Sequence, residues 1–326
     1  MPVDRPPTIL LGATPSASLH AALRERYEVL GPFEGGAPEA ARALPAAALA
    51  RIAALVTYGN ASTTGELADA MPNLRIVCCI GSGYEGVDRA AMAARGIAVT
   101  HGPGANASSV ADLALGLLIA SVRALTAGHA LVRAGQWRGG ADALPLAPGL
   151  TGRRVGIYGL GAIGARIATR VAACEAIVGY HNRRPRDDTA YQFFPTLMGL
   201  AHWADALVIA VRADAATRHA VDADVLRALG ANGHVVNIAR GSVIDEDALI
   251  AALRDGSIAG AGLDVFEREP VVPPALARLP NVALTPHLGG ATLEAHDAMQ
   301  ALVLRNLAAF FAGQPLPTPV PTPHVT

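Results

Sequence analysis

Three polar residues stand where short apolar runs end, and as a set they could do proton and hydride chemistry. Arg240 follows Val235-Val236-Asn237-Ile238-Ala239, Glu269 closes Leu263-Asp264-Val265-Phe266-Glu267-Arg268, and His287 follows Leu284-Thr285-Pro286. A guanidinium can clamp a carboxylate through two parallel hydrogen bonds and favour negative charge developing beside it. An imidazole can give and take a proton near neutrality. A carboxylate next to that ring would orient it and favour its charged form. Together they suit the reduction of a carbonyl flanked by a carboxylate, in which a hydride reaches carbon, charge builds on oxygen and a proton is delivered. Singly, each has a plainer reading: a strand-end ion pair, a surface acid, a turn residue. Asp264 reads either as structural or as a group orienting a nicotinamide. His20, His129, His202, His219, His296 and His324 occupy helical, surface or terminal positions and are assigned no chemistry.

A hydride needs a carrier, and the chain offers a place for one. The apolar run Arg154-Val155-Gly156-Ile157-Tyr158 leads directly into Gly159-Leu160-Gly161-Ala162-Ile163-Gly164 and then an Ala/Ile-rich helical stretch. A bare GxGxxG says little in a chain with 34 glycines, but strand before and helix after give it meaning. Gly159 permits the tight turn, Gly161 a close approach to a pyrophosphate, and Gly164 close packing of helix on strand. The helix N-terminus then faces the phosphates. After the next strand, where an acid would bind the ribose 2′-hydroxyl of NAD, the chain reads His181-Asn182-Arg183-Arg184. Two guanidinium groups can pair with a 2′-phosphate that an acid would repel, which favours NADP(H) with NAD(H) still usable. The plainer alternative for Arg183 and Arg184 is a solvated loop.

The elements that must position these groups alternate throughout the chain. Strands are expected at 8–11, 28–30, 54–57, 76–79 and 98–100, with helices at 18–26, 64–70 and 89–94 between them. One long helix is expected over about 108–134, capped by Ser108 or Ser109 and ending before Gly135. A turn-rich stretch, GGADALPLAPGLTG, leads to further strands at 154–158, 176–180, 206–210, 234–238, 260–263 and 282–284, with helices that include 162–172, 224–229 and 246–255. A last helix over about 293–313 must pack back on earlier structure, and the tail QPLPTPVPTPHVT reads as extended. In a doubly wound sheet the carboxyl ends of the strands open on one crevice, so Arg240, Glu269 and His287 are expected to converge.

Bulk properties limit the alternatives. At 326 residues, 52% of them hydrophobic, two domains with full cores are expected. A formal net charge of -1 gives no support to a nucleic-acid partner. Cys78, Cys79 and Cys174 lack metal-site spacing, no metal is assigned, and the adjacent pair reads as core thiols in a reducing compartment. The start MPVDRPPTILL is not a signal peptide, and the apolar stretch 113–122 is too short to span a bilayer. A cytoplasmic protein without a membrane partner is the expectation.

From Thr151 to Gly290 the chain resembles the D-isomer-specific 2-hydroxyacid dehydrogenases. The marks are GLGAIG at 159–164, VNIARGSVIDEDAL at 236–249, GAGLDVFEREP at 260–270 and TPHLGG at 285–290, in order and correctly spaced. The resemblance extends weakly to SSVADLALGLL at 108–118 and AGQW ending at Trp137. It implies an α/β fold of two Rossmann-like domains with parallel sheets, the smaller one discontinuous. Residues 1–100 with 291–326 would bind substrate and residues 101–290 the nucleotide, with a cleft between domains that closes on both ligands. It also implies that Arg240, Glu269 and His287 are catalytic, that Asp264 lies by the nicotinamide, and that backbone N–H groups of Ser82 and Gly83, in the loop Ile80–Tyr84, meet the substrate carboxylate. The expected cofactor surface comprises Val110; Gly159, Leu160, Gly161, Ala162, Ile163 and Gly164; Asn182, Arg183 and Arg184; Val211, Arg212 and Thr217; Ile238, Ala239 and Arg240; and Asp264, His287, Gly289 and Gly290. Similar enzymes are homodimers built on the long helix.

Two departures stand out. His181 replaces the Asp of NAD-preferring members, which strengthens the NADP(H) expectation. Arg212, in a loop usually richer in proline or glycine, either adds to phosphate binding or is incidental. His101, in the unusual run HGPG, reads as a hinge residue rather than a proton donor. Within the family the chain looks most like NADPH-preferring glyoxylate/hydroxypyruvate reductases, including 2-ketogluconate-reducing members. Phosphoglycerate dehydrogenase is disfavoured because the residues after His287 leave no room for a regulatory domain. A dinucleotide-sensing corepressor or scaffold is the contrasting class, and a sensor needs no proton donor.

Overall fold

A computed structural model describes residues 5–139 and 144–321, and every count of elements is of these residues. His324, the tail beyond 321 and residues 140–143 of the turn-rich stretch lie outside them. The chain divides into two compact units, residues 1–106 with 293–326, and residues 107–292. The smaller unit is thus discontinuous in sequence.

In the smaller unit, strands β1 (Thr8–Leu11), β2 (Glu28–Leu30), β3 (Ile52–Tyr58), β4 (Ile76–Ile80) and β5 (Ala98–Thr100) form one sheet in the order β2-β1-β3-β4-β5, every pair parallel. Between them run α1 (Ala17–Arg24), α2 (Gly36–Ala43), α3 (Ala46–Leu49), α4 (Gly65–Asp69) and α5 (Arg89–Ala94). Starts follow capping chemistry: Ser16, Thr64 and Asp88 accept the backbone N–H of Leu19, Leu67 and Ala91. Strand residues Ile9, Leu11, Ile76 and Cys78 are fully buried under Val303 and Leu307 of the last helix, which therefore returns to the first sheet as its sequence position required. The tail beyond it reaches β5, where the Val320 N–H donates to Val99 O.

The larger unit opens with α6 (Ala107–Val122) and α7 (Leu125–Arg133). The expected single helix over 108–134 is therefore broken: Ala124 takes a left-handed φ of 50°, and the two halves bend by 69°. The expected caps Ser108 and Ser109 lie inside the first turn instead; Ser109 Oγ meets Thr292 Oγ1 at 2.7 Å and Ser108 Oγ accepts from Arg170. Helix α6 is the central core helix, its Ala111, Ala114 and Leu118 buried against the sheet, whereas α7 buries none of its residues. No single helix among the described residues is long and apolar enough to cross a membrane.

The sheet of this unit contains β6 (Arg154–Tyr158), β7 (Ile177–His181), β8 (Gln192–Phe194), β9 (Ala206–Ile209), β10 (His234–Asn237), β11 (Gly260–Leu263) and β12 (Val282–Leu284). Their order is β12-β11-β10-β9-β6-β7-β8, all parallel, so the winding reverses between β6 and β9. Ligands of such sheets bind outside the carboxyl ends at that reversal. Helices α8 (Ala162–Ala173), α9 (Leu197–Trp203), α10 (Ala223–Leu229), α11 (Glu246–Asp255) and α12 (Pro274–Ala277) complete the layers, and α13 (Leu293–Phe311) belongs to the smaller unit. Close packing dictates residue size here: a β-carbon on Gly262 of β11 would stand 2.9 Å from Leu117 of α6.

Candidate active site

The glycine turn lies at the winding reversal. Gly159 has φ +101°, and a β-carbon there would stand 2.8 Å from the backbone nitrogen of Val211, at the end of β9. One on Gly164 would stand 2.0 Å from the carbonyl oxygen of Gly159, so α8 can lie on β6 only through glycine. A β-carbon on Gly161 would meet nothing within 4 Å, leaving the backbone open to a close approach. No side chain caps α8 at Gly161. Its first-turn N–H groups can therefore serve a phosphate. These features fit a dinucleotide pyrophosphate.

Both backbone polar groups of Leu160 are held by side chains. Asn182 Oδ1 accepts its N–H at 2.7 Å, and Arg186 Nη1 donates to its carbonyl at 2.7 Å. Arg186 is also ion-paired to Asp188. Sequence reasoning passed over Arg186, although it continues the basic run. Arg183 and Arg184 are exposed on the same loop, and His181, at the end of β7, donates from Nδ1 to Phe194 O at 2.8 Å and stacks on Tyr158. Thr217 braces its own loop, its hydroxyl donating to Arg212 O at 2.9 Å and accepting the Asp214 N–H at 2.8 Å. Val110 lies buried beneath Gly289, where a β-carbon would come 3.2 Å from it.

Arg240 starts where β10 ends. Asn237, a polar residue inside an otherwise apolar strand, is buried and bridges the turn: its Oδ1 accepts the Ala239 N–H at 3.0 Å and its Nδ2 donates to Arg240 O at 2.9 Å. Arg240 Nη1 donates to Ala239 O at 2.7 Å. Ile238 and Ala239 are buried, and Ser82 and Gly83 form the turn after β4 on the smaller unit.

His287 and Glu269 meet directly. Nδ1 of the ring is 2.7 Å from Glu269 Oε2, and Glu269 Oε1 accepts the Phe266 N–H at 3.0 Å. Burial alone would push the Glu269 carboxyl up. The bonds from His287 and Phe266, with the charges of His287 and Arg240, outweigh it and hold the acid below the usual range. An ionised carboxylate only accepts, so Nδ1 carries the hydrogen and Nε2 is the atom left for chemistry. His287 itself has a left-handed φ of 54°. Asp264 keeps it there: its buried carboxylate takes Thr285 Oγ1 at 2.6 Å, the Leu288 N–H at 2.7 Å and the Gly289 N–H at 2.8 Å, while its carbonyl accepts the His287 N–H. Of its two possible readings, these bonds bear on the structural one, the shaping of the 285–289 loop; Gly290 follows that loop half-buried.

Residues 115–289 match the family described as D-isomer specific 2-hydroxyacid dehydrogenase, NAD binding domain. Glyoxylate/hydroxypyruvate reductase A of Arabidopsis thaliana is 43% identical over 269 residues, 82% of this chain and 85% of that protein. The 2-ketogluconate reductase of Gluconobacter oxydans is 40% identical, over 82% of this chain and 86% of that one. A crystal structure of an NADPH-dependent glyoxylate/hydroxypyruvate reductase from Sinorhizobium meliloti, in complex with NADP and malonate, aligns with a TM-score of 0.89 at 41% identity, covering 96% of both chains.

Proposed function

Because this chain belongs to the D-isomer-specific 2-hydroxyacid dehydrogenases, we propose that it reduces small 2-keto acids, glyoxylate and hydroxypyruvate foremost, to 2-hydroxy acids with NADPH. The observation that carries this is the Glu269–His287 hydrogen bond, made beside the strand end that bears Arg240. The glycine turn and the 182–184 loop would hold the cofactor, which when bound would supply a hydride to the carbonyl carbon. His287 Nε2 gives the proton to the oxygen on which charge builds, and takes it back in the reverse direction. Glu269 fixes the ring and stabilises its charged form. Arg240 clamps the substrate carboxylate and favours the developing oxyanion. On the smaller unit, the N–H groups of Ser82 and Gly83 serve as carboxylate donors.

Arg183 and Arg184 in place of an acid support NADP(H) over NAD(H), as does the NADPH dependence of the Sinorhizobium relative. Similarity to the Gluconobacter 2-ketogluconate reductase supports 2-ketogluconate as a second candidate substrate for this chain. A homodimer is proposed from α7, which buries nothing and exposes Leu125 and Val132, with Trp137 just beyond it. A cytoplasmic location is proposed from the free, buried thiols Cys78 and Cys79. A single-chain mass in solution would refute the first of these, and recovery from an oxidising compartment the second.

The deciding experiment is NADPH and NADH oxidation against glyoxylate, hydroxypyruvate, pyruvate and 2-ketogluconate. Turnover on the first two with NADPH is expected. Cofactor binding without turnover on any keto acid would make the chain a dinucleotide sensor, and a strong preference for 2-ketogluconate would reassign the substrate.

A further inference from the structure

We propose that His101 is a positioning residue for the keto-acid carboxylate, aiming the two backbone N–H groups of the loop after β4; this rests on the function proposed above. In a trans peptide the C=O and N–H of one amide point in opposite directions, so anchoring a carbonyl aims the N–H of the following residue. The amides of residues 81–83 are trans. Gly81 O accepts the Gly102 N–H at 2.6 Å, which aims the N–H of Ser82. Ser82 O lies 2.9 Å from His101 Nδ1, which aims the N–H of Gly83. A carbonyl oxygen only accepts, so Nδ1 of His101 carries the hydrogen. The pair 101–102 thus orients both N–H groups, each on the far side of its amide from that pair.

The brace is itself rigid. His101 is buried, 8% exposed, and its ring stands edge-on to Tyr84 at 5.0 Å, with the Arg89 guanidinium 5.4 Å over the Tyr84 ring. Its backbone is held from the far end of the chain: the His101 N–H donates to Thr318 O at 3.2 Å, and Thr318 Oγ1 donates to His101 O at 2.6 Å. The buried Asn306 of α13 fixes Thr318 in turn, donating to Oγ1 at 2.8 Å and accepting its N–H at 3.2 Å. On the other side of the loop, a β-carbon on Gly59 would stand 1.8 Å from Gly83 O, so the loop lies on bare backbone. This arrangement exceeds what a hinge needs. It fixes amide planes in the one loop whose N–H groups the proposed reaction uses.

The test is glyoxylate reduction by the full chain and by His101→Ala, His101→Asn and Thr318→Val, with NADPH dissociation constants and melting temperatures measured alongside. His101→Ala is expected to raise the glyoxylate KM roughly tenfold, a size suited to one misaimed hydrogen bond. Its kcat should stay within about twofold, since the proton donor is untouched. NADPH affinity should not change. The Asn side chain carries an N–H donor at the Nδ1 position, so His101→Asn should recover most of the KM. Thr318→Val should raise KM in the same direction by less. An unchanged KM in folded His101→Ala would overturn the inference, as would kcat and NADPH affinity falling together, or His101→Asn being no better than Ala. If His101→Ala does not fold, an unchanged KM in Thr318→Val overturns it. A parent enzyme inactive on every keto acid would overturn the proposed function and this inference with it, whereas an active parent with an indifferent His101 overturns the inference alone.

Discussion

Gly241 lies so close to Phe266 that a β-carbon on it would stand 1.9 Å from the Phe266 carbonyl carbon. The turn that carries Arg240 and the turn that carries Glu269 therefore share one van der Waals surface, through the only residue type without a side chain. Gly241→Ala must push the ends of β10 and β11 apart. We expect a loss of at least about 2 kcal/mol in stability, as for other overpacked sites, together with a fall in kcat. Gly116→Ala is the control, because its β-carbon meets nothing within 4 Å on helix α6, and it should be neutral or stabilising by up to about 1 kcal/mol. Denaturant unfolding and steady-state rates on both variants decide the matter; equal stabilities would mean that the two turns are not in register as described.

The Glu269–His287 bond separates two contributions to rate. His287→Ala removes the proposed proton donor, and kcat should fall on the order of a thousandfold with NADPH binding retained. Glu269→Gln keeps the shape but loses the charge that favours protonated imidazole, for a smaller fall on the order of tenfold to a hundredfold. A His287→Ala enzyme with the parental kcat would remove His287 from the mechanism. Glu269→Gln as slow as His287→Ala would mean that Glu269 does more than orient and polarise the ring.

These groups were legible in sequence because each sits at the end of an apolar run, and a parallel sheet turns run ends into neighbours. The same logic located the strands closely: β1, β2, β5, β6, β11 and β12 fall where the apolar runs put them. It failed at Ala124. No glycine or proline marks the break between α6 and α7, and the apolar pattern runs straight through it. A left-handed φ of 50° at an alanine is a conformation that local propensity does not encode. The positioning residues were hidden for a related reason. Asn237, Arg186 and Thr318 act on backbone atoms remote in sequence or across a turn, and a side chain's backbone partner leaves no periodic trace.

The 182–186 loop yields opposite expectations for neighbouring arginines. Arg183 and Arg184 are exposed and should serve only the 2′-phosphate. Replacing both with Ala should raise the NADPH KM by roughly tenfold or more and leave that for NADH nearly unchanged. Arg186 holds the carbonyl of Leu160 in the glycine turn, the part of the site proposed to meet the pyrophosphate common to both cofactors. Arg186→Ala should therefore weaken NADPH and NADH alike. Initial rates with both cofactors separate the two cases. Equal losses in the double variant would undo the NADP(H) assignment, and a selective loss at Arg186 would move that side chain to the 2′-phosphate.

His234 begins β10, at the opposite end of the strand from Arg240, and its Nδ1 lies 2.8 Å from Ser121 Oγ. Burial, with the charge of Arg153 adding to it, pushes its imidazole down from 6.5 to about 4. The unfolded chain takes up this proton near 6.5 while the folded chain resists it until about 4, so the unfolded state binds more protons in between and stability there rises with pH. The contribution is complete above the unfolded value and is lost as pH falls through the folded one. It amounts to at most about 3 kcal/mol. Carboxylates titrate in the same window, so the informative quantity is a difference between proteins. His234→Asn keeps a polar atom at the Nδ1 position and does not titrate, and its unfolding free energy should fall less than the parent's between pH 6.5 and 4. Parallel pH dependences in the two proteins would show that the His234 ring accepts its proton inside the fold without cost, and that Ser121 and the strand start give way to a charged imidazole.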